Sequence, residues 1–139
     1  MTAIECIRQI ESNEFYIEKT KKRIEELENY AKNLSSKPFD RERVKTSGDK
    51  DRVANLTVRI MDEKEKLVRF VIDNEDLRVY VMNQIDNIDD LTLEKILYYR
   101  HFEKKGYPEI ADILDLSPKT VRNQHSKAIK ILEKTFIEP

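Results

Sequence analysis

From Ala3 onward an apolar residue returns every seventh position, at Ala3, Ile10, Ile17, Ile24 and Ala31, with Leu27 and Leu34 three positions further on. Such a period keeps one stripe of an α-helix against a partner helix, so it predicts a coiled-coil-like seam over Ala3 to Leu34. Asn13 and Thr20 occupy companion positions, where polar groups weaken a seam while fixing its register. The intervening TKKRIEELE supplies charge for a solvated face. The same spacing resumes at Val53, Ile60, Leu67 and Val81, with Leu56, Phe70 and Leu77 beside it. Two long helices joined by one loop fold back as an antiparallel hairpin. The stretch LVRFVIDNEDLRVYVM also suits a strand, but no second strand candidate exists to pair with it, which favours helix.

Between the two series lie Ser35, Ser36, Lys37 and Pro38. Proline cannot continue the backbone ladder, so the first helix is expected to stop there. PFDRERVKTSGD reads as a polar connector with Gly48 at a turn, and Asp49 or Ser47 is placed to cap the second helix. Over residues 36–50 this connector is either a plain loop or a contact for DNA backbone or protein, with Lys45, Lys50 and Arg52 as its donors.

The remainder, from about Asp89, has a different pattern. DDLTLEKILYYRHF offers an Asp cap and Leu91, Leu93, Ile96, Leu97 and Phe102 for burial, with Lys104, Lys105 and Gly106 as its stop. Pro108 falls in the first turn of a short helix that presents Ile110, Ala111 and Leu114 to one side. Asp115-Leu116-Ser117 then breaks the chain, with a left-handed residue near Asp115. Ser117 caps the last helix and Pro118 opens it. A short helix, a three-residue turn and a second helix, closed by Leu116 and Val121, form a helix-turn-helix. The free side of the last helix carries Lys119, Thr120, Arg122, Asn123, Gln124, Lys127 and Lys130, with Glu133 its one acid. Those side chains supply donors for phosphates and base edges.

The whole is predicted to be all-α, with residues 1–88 as a hairpin for oligomerisation or partner binding and 89–139 as the DNA-binding domain. The overall charge of −1 gives no global attraction to nucleic acid or anionic lipid, so affinity must be local. A lone cysteine, Cys6, forms no internal disulfide and sits on the seam side as a small buried hydrophobe. No apolar run approaches the roughly 20 residues that span a bilayer, and the first residues lack the apolar core of a signal peptide. A cytoplasmic protein of a bacterial cell, without membrane contact, is expected. His101 and His125 have no Cys or acidic partner at metal-ligand spacing, so no metal or cofactor is predicted; His125 is assigned to packing or solvent and His101 to the end of its helix. Paired acids such as Glu25-Glu26 and Asp89-Asp90 read as solvated faces and caps. Two isolated glycines build no phosphate loop, and no enzyme is expected.

YPEIADILDLSPKTVRNQHSKAIKIL resembles region 4 of bacterial sigma factors, and RHF before it resembles the end of that module's preceding helix. The likeness covers roughly Leu91 to Leu132. With the charged hairpin and RVKTSGDKDRV, the chain also resembles small phage and prophage proteins of Gram-positive bacteria, similar to late-operon activators of the ArpU and RinA type. This implies a transcriptional regulator whose last helix enters a major groove. Lys119, Thr120, Arg122 and Asn123 would lie nearest bases or phosphates, and Gln124 and Lys127 one turn on. Double-stranded DNA is the implied partner, RNA polymerase a second, and a homo-oligomer, preferably a dimer, the implied assembly. The sigma regions that melt the promoter have no counterpart in these residues, so this chain alone is not expected to act as a full sigma factor. Two rival readings remain at this level, a packaging subunit similar to phage small terminases and an interaction protein that binds polymerase without DNA specificity.

Overall fold

A computed structural model describes residues 1–36 and 47–139. Among these residues there are five helices and no strand: α1 (Ala3–Ser36), α2 (Ser47–Asp86), α3 (Leu91–His101), α4 (Tyr107–Leu114) and α5 (Pro118–Thr135). The all-α reading therefore holds, including LVRFVIDNEDLRVYVM, which lies within α2. The chain divides into two compact units, one made of Met1–Glu11 with Glu75–Pro139 and the other of Ser12–Asn74.

In the Ser12–Asn74 unit, contacts between α1 and α2 run in opposite directions along the chain. The Asn13 amide donates to Asn74 Oδ1 at 3.2 Å, Tyr16 stacks on Phe70 at 6.4 Å, Arg23 reaches Glu63 at 3.7 Å, and Glu28 accepts from Lys64 at 2.9 Å. Advancing on α1 means retreating on α2, which defines an antiparallel hairpin. Ile24 and Thr20 are buried at its seam, as are Asn74 and Glu63 from α2. Asn74 and Glu63 fill the two heptad places that the apolar series skips. A buried amide finds its partner across the seam, as desolvation requires.

Helix α2 starts at Ser47. Gly48 is thus in its first turn rather than in a preceding loop. Pro38 and Lys45 lie outside the described residues, whereas Lys50 and Arg52 are exposed on α2.

The other unit has two adjoining clusters. Ala3, Cys6, Ile7 and Ile10 of α1 join Val81 and Ile85 of α2, Ile88, Leu93 and Leu97 of α3, and Ala128 and Leu132 of α5. A smaller cluster places Ile96, Ile110, Ala111 and Val121 together under Tyr99, Tyr107, Leu114 and Leu116. Each large side chain fully withdrawn from water contributes roughly 1.5–3 kcal/mol. The beginning of α1 and the end of α2 thus supply half the wall against which the last three helices pack.

Asp90 caps α3, accepting the Leu93 N–H at 3.2 Å. Leu91, expected in the core, is 64% exposed. It is the first residue of the helix, so it projects beyond the turn on which Leu93, Ile96 and Leu97 face inward. Phe102 is only partly buried. The stop at Gly106 also differs. Lys104 takes the left-handed conformation (φ 59°), whereas Gly106 is extended (φ −77°, ψ 162°) and serves as N-cap of α4.

Candidate nucleic-acid interface

The turn between α4 and α5 is held by backbone bonds. Asp115 is left-handed (φ 57°, ψ 46°) and donates its N–H to Ala111, and the Leu116 N–H also reaches the Ala111 carbonyl at 2.9 Å. An aspartate tolerates this conformation better than most non-glycine residues. Ser117 returns to extended geometry and its Oγ accepts the Thr120 N–H at 3.1 Å, so α5 begins at once with Pro118. Ala111 is 2% exposed, which lets the two helices approach closely at this corner.

Burial of Val121, Ala128 and Leu132 fixes the rotation of α5. Lys119, Arg122, Asn123, Lys127 and Lys130 are consequently exposed together, and Thr120 and Gln124 are half-buried. The Thr120 hydroxyl lies 2.7 Å from Ser117 Oγ, so it belongs to the cap as much as to the surface. Glu133 is half-buried and accepts the Ile4 N–H at 2.8 Å at the start of α1. The helix's one acid is thereby turned to a helix N-terminus, where a carboxylate is favoured, and the exposed face stays cationic.

Arg122 is steadied by an aromatic ring. Its guanidinium stands 5.7 Å from the centre of Tyr107, and Arg100 approaches the same ring at 4.5 Å while donating to the Lys105 carbonyl at 3.2 Å. Such stacking restrains a long side chain without consuming its donors. The Tyr107 hydroxyl meets His125 Nδ1 at 3.4 Å, and His125 Nε2 meets His101 Nε2 at 2.9 Å. Two ring nitrogens that close cannot both carry a proton. Burial holds His101 down at about 4, assisted by the charges of His125, Arg100 and Lys104; burial and then Arg100 lower His125 as well. Glu11, 3.8 Å from His101 Nδ1, opposes this shift, but it is half exposed and its pull is screened.

The Arg100, Tyr107 and His125 grouping was not legible as a site in sequence, because its members come from three helices. His125 packs, one of the two outcomes expected of it, and His101 is the last residue of α3, where its ring also meets His125. Cys6 is buried, and that burial pushes its thiol up. Among the described residues no group of three or more His, Cys, Asp or Glu could hold a metal ion, and no helix is long and apolar enough to cross a membrane.

No curated protein and no solved structure matches the chain. Residues 92–132 match the family model for region 4 of sigma-70 factors. They run from the second residue of α3 into the last turns of α5, enclosing the capped turn and the cationic face. Residues 92–132 of this chain are therefore a sigma-70 region 4 domain, with a helix-turn-helix of the DNA-binding type.

Proposed function

We propose that this chain is a sequence-specific transcriptional regulator of phage or prophage type that reads promoter DNA with α5. One observation carries the reading: within the region 4 domain, a serine-capped helix follows a left-handed turn and exposes Lys119, Arg122, Asn123 and Lys127 on one face. In a major groove, Arg122 suits guanine and Asn123 suits adenine, and Lys119 and Lys127 suit flanking phosphates. A single module makes few contacts. Two copies held together would address a two-part site, with apparent affinity raised about 10²-fold or more where the spacing fits. The reading is of a binding protein that carries out no catalytic step.

Contact with RNA polymerase is a second element of the proposal. It is favoured by a recess of about 390 Å³ lined by Met82, Ile85, Leu91, Tyr98 and Tyr99, where Leu91 and Tyr98 stay exposed. An apolar recess at the surface is a common docking feature.

The test is recovery of fragments from a sheared bacterial and phage genome at near-physiological salt, with a Lys119→Ala, Arg122→Ala double variant alongside. Enrichment of one intergenic site by the parent, lost in the variant, is the expected result. Uniform weak retention by both proteins would replace the regulator with a packaging or polymerase-binding role.

A further inference from the structure

Helix α2 carries a second apolar stripe that α1 does not cover. Val58, Met61, Val68 and Ile72 are 57%, 60%, 56% and 54% exposed. Their spacing of three and four residues, completed by Glu65, is that of a helix seam. At about 100° per residue, this stripe lies opposite the one formed by Leu56, Ile60, Glu63, Leu67, Phe70 and Asn74, which faces α1. The helix is therefore built to be covered on two sides.

We infer that a second copy of this chain docks on the Val58–Ile72 face, α2 against α2 in antiparallel register, with Asp62 paired to the partner's Arg69. Charge pattern selects both occupant and register. When Glu65 is set beside the partner's Val68, Met61 meets the partner's Ile72, and two-fold symmetry makes the Asp62–Arg69 contact twice. Glu65 can carry its carboxylate to the edge of such a seam. Moving one heptad in one direction sets Asp62 against the partner's Asp76, Arg69 against Arg69 and Glu65 against Glu75. Moving one heptad the other way opposes Asp62 to Asp62. A parallel pair stacks Glu65 on Glu65 and brings Lys64 to the partner's Arg69. Only the first arrangement sets no like charges directly opposite one another, and repulsion of this kind sets partner choice and orientation in helical seams. Among the described residues neither Asp62 nor Arg69 has an ion pair within the chain, so both charges are available to a partner.

This surface deepens the proposed pairing of two DNA-reading modules, but it stands on α2 alone. The experiment is sedimentation equilibrium of the full chain across a concentration series, with Asp62→Arg, Arg69→Asp and the double exchange, each checked for unchanged helical content. A dimer that weakens about tenfold in each single variant and recovers in the double exchange is expected. A monomer at all concentrations, a larger ring, a dimer indifferent to the single reversals, or a double exchange that fails to recover would each overturn the assignment. Site retention by a variant that remains monomeric, measured in parallel, separates failure of this interface from failure of the DNA reading.

Discussion

His101 Nε2 lies 2.9 Å from His125 Nε2, and the Nδ1 atoms of the two rings face Glu11 and the Tyr107 hydroxyl. One neutral arrangement satisfies all three contacts. Tyr107 donates to His125, His125 donates to His101, and the remaining proton of His101 points to Glu11. Both histidines have folded values below the unfolded one of 6.5, so the unfolded chain binds more protons as pH falls.

Stability should accordingly be complete above pH 6.5 and decline as pH falls toward the folded value of about 4 for His101. The loss between pH 7 and pH 5 is on the order of 1–2 kcal/mol. Urea titrations at the two pH values measure it. In His101→Gln the dependence over that interval should flatten, and an undiminished slope would assign it to other groups.

The left-handed turn makes a second prediction. Asp115→Gly should leave stability unchanged or raise it by up to about 1 kcal/mol, since glycine adopts positive φ without a steric cost. Asp115→Val should cost more than 1 kcal/mol, roughly the penalty for a Cβ-bearing residue in this region. Thermal melts of both variants decide, and equal melts would refute the turn as described.

Loss of the cap is a third case. Ser117→Ala removes the acceptor for the Thr120 N–H and should lower stability by about 1 kcal/mol, with Ser117→Asp restoring it. The same denaturation experiment reads both variants.

At the hairpin seam, Asn74 is 4% exposed and accepts the Asn13 amide. Replacing both by leucine should raise the denaturant midpoint, because an apolar pair of similar volume avoids the desolvation of two amides. Asn74→Leu alone removes the acceptor of that bond and should be at least 1 kcal/mol less stable than the double variant. The cost in the double variant is looser register, visible as broadened hairpin resonances in NMR spectra.

On DNA, Arg122→Ala and Lys127→Ala should fail differently. Arg122→Ala is expected to cost about 1–3 kcal/mol on the preferred site and relax its sequence preference. Lys127→Ala should weaken all sequences alike and reduce the salt slope by about one unit. Titrations on matched and scrambled duplexes at two salt concentrations distinguish them. Identical losses on both duplexes for Arg122→Ala would remove it from the base-reading role.

Periodicity and local turn chemistry made much of this fold legible. The heptad series located two helices, Asp90 and Ser117 marked true caps, and Asp115 was recognisable because few side chains accept its backbone. What sequence misjudged was decided by neighbours distant in the chain. Leu91 was assigned to a core that its position at the helix start keeps it from entering. Gly106 resembles a helix stop in sequence, yet Lys104 takes the positive φ and Gly106 is extended as the N-cap of α4. A Cβ at Gly106 would meet only Pro108 Cδ, at 3.7 Å, an ordinary contact. The polar seam residues Glu63 and Asn74 were invisible to a search for apolar repeats. The exposed character of Lys119, Arg122, Asn123 and Lys127 was readable from the helical period, whereas the ring that steadies Arg122 was not.

The core cluster that joins Ala3 and Cys6 to Ala128 and Leu132 also orders events during synthesis. Contacts so distant in sequence close late, after a large loop of chain has been ordered. On the ribosome, Asn13 can find Asn74 as soon as α2 has emerged, but the wall offered by Ala3, Cys6, Ile7 and Ile10 is not fully covered until Leu132 has been made. The start of α1 thus waits for α5, and until α5 is made part of that apolar surface stays uncovered on the nascent chain.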